Sequence, residues 1–512
     1  MPRKHGSTQR TMSPNRRSFL QTCGLGSLGL LMPSSVTPLR GQQAPAAEAR
    51  LDSTMLADLA SWVARVKYDD FPPHVIAKAK RLLLDTLGCA IGAIDGEPVR
   101  IAAQVVRQQG GNPQATVIGA GWKASAEQAT FLNALAIRYL DFNDYAAFGY
   151  PHHPSINVGS ALAIAEMQGL TGKDVLLGLT VAYEVHIRFR DFSADGKGPN
   201  GARKRGFDLP SIEAQFASAA AAGKLLGLDA PKLANALAIA GSFGNTLREV
   251  RSGGELAMAK GSAEAIASKN GTFAALLARA GMSYPDTLID GESGYAKVIV
   301  GEVDEKILRS QATDFHILKS CYKMWPSIGT SQAPIAAALS LRKDIPADDI
   351  DTITVGLSDF AHDQQKDFLG EINTREHADH SVPYLVARAF LDGDVKVSDF
   401  EESRYRDRRV LALADKVHLA VDKSLNGEAE ILGVRMAVTR RNGAARKVDV
   451  LYAPGSVRNP PDDASLEAKF LSNAERALGR DRVHHAAETI LNVDRLPNLG
   501  ELLTALAPRR AG

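Results

Sequence analysis

The chain has 512 residues, long enough for two or three domains with sizeable cores. With 45% hydrophobic and 23% charged residues it has the composition of an ordinary globular protein, which excludes a small stapled scaffold and a disordered chain. A net charge of +2 gives no electrostatic reason to expect nucleic acid or an acidic membrane as partner, and leaves a small molecule as the natural ligand.

The N-terminus reads SPNRRSFLQ, then the weakly apolar TCGLGSLGLLM, a Pro/Ser stretch and APAAEA. That order is the order of an export signal. Arg16 and Arg17 before Ser18, Phe19 and Leu20 resemble a twin-arginine signal, and Ala44-Pro45-Ala46 offers a cleavage site after Ala46. Residues 1–46 are therefore expected to be a signal peptide, with the mature protein periplasmic and no membrane association after cleavage. Gly24, Gly26 and Gly29 spell G-x-G-x-x-G, but with no strand before and no helix start after, the match carries no dinucleotide site. The apolar run also falls short of the ~20 residues that span a bilayer. Cys23 leaves with the signal. Cys89 and Cys321 remain, too few for a disulfide framework and without zinc or redox spacing.

From 51 to 315 apolar residues recur at three- and four-residue spacing, as in MLADLASWVARV, VIAKAKRLLLDTLGCAIGA, AEQATFLNALAIRYL, DVLLGLTVAYEVHIRF and AQFASAAAAGKLLGL. These segments predict helices, joined by links such as GLTGKD and GLDAPKL that carry glycine and helix-start residues. Between 316 and 455 the pattern changes. DTITVGLS, EILGVRMAVTRR and RKVDVLYAP alternate and predict strands, with helices at TSQAPIAAALSLRK and HSVPYLVARAFLDG. Helical periodicity returns over 456–512. The expected fold is mainly α: a large helical domain built from both chain ends, with an inserted, smaller α+β lid domain and a ligand cleft between them.

The stretch LDFNDYAAFGYPHHPS, residues 140–155, holds the first candidate chemistry. A carboxylate such as Asp141 beside a histidine would fix the imidazole tautomer for acid–base work, although Asp and Asn at a helix end are also common capping residues. Lys260, before small residues in AKGSAEAIASKNG, and Lys323, in CYKMWPSIG, are lysines in apolar surroundings that need anionic partners. HADHSVPY sets His377 and His380 three residues apart with Asp379 between. As metal ligands they lack a third partner at convincing spacing, and helix-start chemistry explains Asp379 and Ser381 equally well. His484 and His485 read as surface. No P-loop, G-x-S-x-G or H-E-x-x-H is present, so no metal or organic cofactor is expected.

Several segments, in order, resemble the MmgE/PrpD family, which includes 2-methylcitrate dehydratases, cis-aconitate decarboxylase and iminodisuccinate epimerase. They are LLLDTLGCAIGA, ATFLNALAIRYLDFNDY, HPSINVGSALAIAEMQGLTGKDVLLGLTVAYEV, AAAAGKLLGLD, LANALAIAGS, KGSAEAIASKNGTFAALLARAG, KMWPSIGTSQAPIAAAL and DHSVPYLVARAFLDG, and the resemblance runs from about residue 52 to 508. It implies a cofactor-free enzyme, usually a homodimer, acting on a carboxylated small molecule. It also implies catalytic roles for Asp141 and His153 as acid–base pair, for Lys260, Lys323 and Tyr384, and substrate contacts from Tyr145, Ser155, Asp208 and His380. The chain departs from the family's D-F-D-D-T motif at Asn143 and Tyr145. Where the decarboxylase carries histidines it has Asp208 and Ile328, which argues against cis-aconitate decarboxylation. Dehydration of a carboxylate is the leading expectation; an epimerase or isomerase, or a carboxylate-binding protein that has lost catalysis, are the alternatives.

Overall fold

The computed structural model describes residues 54–147, 152–194, 201–251, 256–258, 260–301, 303–309, 314–427 and 431–508. The expected signal peptide over 1–46 lies outside the described residues. Helix is the dominant element, and the longer predicted helices form where the periodicity placed them: Met55–Arg65, Pro73–Gly92, Ala126–Tyr139, Val158–Gln168, Gly172–Ala194, Leu209–Leu225, Ala230–Ser242 and Lys260–Arg279. Local chemistry sets their ends. The Thr54 hydroxyl accepts from the Ala57 N–H, and the Asp229 carboxylate accepts from the Lys232 N–H at 3.0 Å, capping amides that would otherwise lack partners. Gly169 closes the Val158–Gln168 helix in the left-handed conformation.

Alanine and glycine on these helices let backbones close up. A Cβ on Gly271 would overlap the Gln215 carbonyl oxygen, so the Lys260–Arg279 helix lies directly against Leu209–Leu225 and Lys260 is held at its start. The Glu97–Gln109 helix was not predicted. Its arginines and glutamines dilute the pattern, and only Pro98, Val99 and Val106 are buried on it.

Two large apolar cores result. One draws on residues from Met55 to Tyr322 and again from Leu466 to Leu506, so the Asp463–Leu478 helix near the C-terminus packs on Pro73–Gly92. The other draws on Ala333 to Ala453 around a mixed four-stranded sheet. Ile350–Leu357 lies at its centre, parallel to Val417–Val421 and antiparallel to Val434–Arg440, which pairs in turn with Ala445–Val450. Ile353 and Val355 face Val438 and Met436 across the central ladder. The strand Val417–Val421 was missed because KVHLAV is short and carries a charge and a histidine, which mask its alternation.

A two-residue pairing, Tyr145–Ala146 antiparallel to Ser320–Cys321, ties the 140–155 stretch to the segment carrying Lys323. Gly455, at φ +94°, backs this segment: its carbonyl accepts from the Tyr322 N–H at 2.8 Å, and a Cβ there would overlap the Tyr322 carbonyl. Lys469 fastens the same region from the C-terminal helix. Its ammonium pairs with buried Asp85 and donates to the carbonyls of Phe142, at 2.7 Å, and Lys323, at 2.9 Å. A carboxylate and two carbonyls thus surround the buried charge, the company that a desolvated ammonium needs.

Lys469→Met should cost about 3–5 kcal/mol in urea unfolding, because it strands the Asp85 carboxylate in the core. Asp85→Leu in the same chain should restore much of that loss. A Lys469→Met protein as stable as the wild type would show that the ion pair does not organise this region.

Candidate active site

Where the Ala126–Tyr139 helix ends, Asp141 reverses the chain at φ +49°, the one non-glycine residue with positive φ among those described. Aspartate tolerates this left-handed conformation better than most residues, but glycine is the usual occupant of such a position. The fold therefore keeps a carboxylate where backbone preference alone would favour its removal.

That carboxylate is buried and ringed by cations. Oδ1 accepts from Arg138 Nη1, one turn back on the same helix, and from Lys323 Nζ at 2.9 Å. Lys323 also donates to the Asp141 main-chain carbonyl at 2.9 Å. Oδ2 makes no hydrogen bond among the described residues and lies 3.5 Å from His380 Nε2 and 3.6 Å from Lys260 Nζ. Burial works to raise the Asp141 pKa, but Arg138, Lys260, Lys323 and His380 together hold it well below the usual carboxylate range. Asp141 is thus an anion and a poor base, and its chemical use is to gather and orient the cations.

His153 opens the short turn Pro154–Asn157 ahead of the Val158–Gln168 helix. Its Nδ1 lies 2.9 Å from the Asp144 carbonyl oxygen, which can only accept, so Nδ1 carries the hydrogen and Nε2 keeps its lone pair. Burial, then Arg138 and Lys323, push its pKa well below the histidine norm, leaving a neutral ring on the cavity wall. The expected pairing of Asp141 with His153 is thus replaced by a main-chain partner. On this wall the histidine oriented by a carboxylate is His380, whose Nδ1 bonds Asp379.

These groups line one cavity. Arg138, Arg203, Arg248, Arg251, Lys260 and Lys323 supply six cationic side chains to the wall, against Asp141 and Asp367. Glu264 stands behind the wall and bridges Arg138 and Arg251, while Asp208 holds Arg251 Nε at 2.8 Å. Leu256, Ile328 and Phe368 form an apolar part of the same wall.

Of the expected site residues, the fold brings together Asp141, His153, Lys260, Lys323 and His380 on this wall. The others do not line it. Ser155 is buried and accepts from Asn143 Nδ2 at 2.9 Å, holding the two limbs of the 140–155 stretch together. Asp208 precedes the Leu209–Leu225 helix, and its carboxylate takes the Ser211 hydroxyl and Arg251 rather than facing the open space. Tyr145 is buried in its strand pairing opposite Cys321 and faces a separate cavity with Leu432. Tyr384 lies in the second core, its hydroxyl donating to the Asp399 carbonyl at 2.6 Å and accepting from Arg388 Nε. The helix-start account of Asp379 gives way as well, since its side chain serves His380 and Arg375. Cys89 and Cys321 are free, buried thiols. Sequence reasoning missed Arg138, Arg251, Glu264 and Lys469. Arg138 and Lys469 had a readable signal, a charged residue on the apolar face of a helix, whereas Arg251 lies in a loop without periodicity.

Two histidine–carboxylate sets among the described residues have metal-like spacing, Asp141–Asp379–His380 and His152–His186–Glu213. The first already has Arg138, Lys260 and Lys323 against Asp141, which would repel a dication. In the second, Asn157 donates to His186 Nδ1 at 3.1 Å, so His186 Nε2 carries a hydrogen and offers no lone pair. The Asn157 amide cannot flip without losing its bonds to the Pro154 carbonyl and the Ser218 hydroxyl. Glu213 instead bonds His152 and anchors the end of the 140–155 stretch from below.

Comparison with known proteins places this geometry. The chain matches the MmgE/PrpD N-terminal domain over residues 57–307 and the MmgE/PrpD C-terminal domain over 325–495. It is 29% identical over 461 residues to human cis-aconitate decarboxylase, covering 86% of this chain and 92% of that one. It is 26% identical over 445 residues to 2-methylcitrate dehydratase of Salmonella typhimurium, covering 81% and 89%.

Asp141→Asn keeps the shape and the tolerance for left-handed backbone but removes the shared counter-ion. We expect it to destabilise the fold by about 3 kcal/mol in urea unfolding, the scale for breaking a buried ion pair. A variant as stable as the wild type would show that the cations do not depend on this carboxylate.

Proposed function

Because the chain belongs to the MmgE/PrpD family, we propose that it is a lyase that dehydrates a carboxylated small molecule by removing the proton next to a carboxylate. The observation that carries this reading is the cation-rich cavity with a neutral, oriented imidazole on its wall. Bound carboxylates satisfy the cations. His153 Nε2 takes the α-hydrogen, and nearby ammonium and guanidinium groups stabilise the enediolate-like charge that develops. Expulsion of a β-hydroxyl as water completes the reaction. The region around the second core serves as a lid over the cavity, since the segment 328–380 supplies Ile328, Gln364, Asp367, Phe368 and His380 to the wall, facing Arg138, Asp141, His153 and Lys260 of the helical part.

Decarboxylation is disfavoured by Ile328, an apolar residue on the wall, and by Asp208, which is committed to Arg251. An epimerase or isomerase would use the same base and cations and return the proton instead of expelling water.

We propose two further properties. Export follows from Arg16-Arg17 and the A-x-A site. A homodimer is supported by exposed apolar residues on two helices, Ile101 and Val105 on one and Ile266 and Phe273 on the other.

A panel of di- and tricarboxylates should raise the melting temperature of the mature protein by mass action, with monocarboxylates giving less. His153→Ala should leave that shift in place while lowering kcat by at least ~10²-fold, the scale for losing a general base. Unchanged turnover removes His153 from the role. Incubation in deuterated water separates the two chemistries, water loss marking a lyase and exchange without loss an isomerase. For export, N-terminal sequencing from a Gram-negative periplasm should read Ala47 first, and replacing Arg16 and Arg17 by lysine should leave the precursor in the cytoplasm. A periplasmic product from that variant contradicts the signal.

A further inference from the structure

Lys260 differs from Arg138 and Lys323, which touch carboxylate oxygens, in what it touches. Its nearest polar neighbour is a nitrogen, His380 Nε2 at 2.7 Å, while Asp141 Oδ2 stays at 3.6 Å. Across the ring, His380 Nδ1 bonds Asp379 Oδ1. A carboxylate can only accept, so Nδ1 carries the hydrogen and Nε2 presents a lone pair, which the Lys260 ammonium fills. The far end of this chain is fixed in turn. Arg375 Nη1 holds Asp379 Oδ2 at 3.3 Å, and the Ile328 N–H holds the Asp379 main-chain carbonyl at 3.0 Å. Gln365 Nε2 donates to the His380 carbonyl at 3.1 Å, and the Phe368 ring meets the imidazole at 4.9 Å between centroids.

Dehydration needs two proton transfers, one from carbon to a base and one from an acid to the leaving oxygen, and His153 accounts only for the first. We propose that Asp379, His380 and Lys260 form a relay in which Lys260 is the acid and Asp379 is its positioning residue, acting through His380. This rests on the dehydratase reading above. His153 Nε2 takes the α-hydrogen, and the electron pair of that C–H bond becomes the second bond of the new C=C. The C–O bond breaks with its electrons, and the Lys260 Nζ proton goes to that oxygen, which leaves as water. His153 then holds the substrate's α-proton, and the Lys260–His380 pair is one proton short. Release of the α-proton to solvent and the uptake of one proton by the Lys260–His380 pair restore the site. Asp379 stabilises the imidazolium whenever the shared proton sits on His380.

The surroundings suit an acid that works near neutrality. Burial lowers the Lys260 pKa to about 8, with Arg138 and Arg251 acting in the same direction and Asp141 and Asp379 against it. Lys323, on Asp141 Oδ1, Glu264, between Arg138 and Arg251, and Glu376 are further charges around it.

Two readouts test the relay. The first needs no substrate: trace labelling with acetic anhydride across pH, with the Lys260 peptide quantified by mass spectrometry and exposed Lys366 as internal standard. Wild-type Lys260 should label half-maximally at lower pH than Lys366. Asp379→Asn should move that midpoint down by about one unit, a tenfold change in proton affinity, and most of the move should vanish in a His380→Gln background. A midpoint that does not move, or that moves equally with and without His380, overturns the relay. The second is kcat against pH on a carboxylate that the protein turns over. As the acid, Lys260 must be protonated, so kcat falls as pH rises through the labelling midpoint and follows it in Asp379→Asn. A limb in KM alone makes Lys260 a binding cation and overturns the acid role. Turnover with an unmoved midpoint fails the relay alone, whereas a moved midpoint with no carboxylate turned over fails the dehydratase reading alone.

Discussion

The site depends on one buried negative charge. Asp141 is held in left-handed backbone at a helix end, and Arg138, Lys323 and Lys260 converge on it from three parts of the chain. Mutual repulsion and the cost of desolvation would keep such cations apart, and a single carboxylate at their centre offsets both. The same cations line the cavity and are the groups that the proposed carboxylate substrate would meet. Holding Asp141 ionised has a chemical consequence as well. Held ionised it is a poor base, and the proton abstraction we propose is therefore assigned to the neutral imidazole of His153.

Around this charge the rest of the fold acts as a frame. Lys469, from the C-terminal helix, binds the carbonyls of Phe142 and Lys323, which neighbour the two halves of the central ion pair. The pairing of Tyr145–Ala146 with Ser320–Cys321 fixes the same two segments by main-chain bonds, and Glu213 takes His152 at the other limb of the stretch. Ser155 and Asp208 belong to this frame: one closes the loop on itself through Asn143, and the other fixes Arg251. Polar residues in a functional stretch divide in this way between those that meet the ligand and those that hold the first group still.

Much of this was legible in the sequence, and the limits have physical causes. The helices were readable because alanine and leucine recur at helical spacing, and the three strongest strands because Val, Ile and Thr alternate. The Glu97–Gln109 helix and the Val417–Val421 strand were not, since one is polar around most of its surface and the other is short and interrupted. Asp141, His153, Lys260 and Lys323 could be proposed from residue type and family resemblance. Which atom each would touch could not, because a hydrogen bond to a main-chain carbonyl, as His153 makes to Asp144, leaves no mark on residue type. Tyr384 shows the converse. A tyrosine in a motif carries the same letter whether its hydroxyl meets a substrate or, as here, a backbone carbonyl in a core.

On the proposed function, one bound polycarboxylate bridges the cations around Asp141 and the imidazole of His153. A crystal structure of the mature protein with tricarballylate, a tricarboxylate with no hydroxyl to lose, tests it most directly. The ligand's carboxylates should lie in hydrogen-bond contact with Lys260, Lys323 and the wall arginines, with a methylene carbon within about 3.5 Å of His153 Nε2. Tricarballylate bound outside this cavity, or bound in it with no carbon within reach of His153, would contradict the claim.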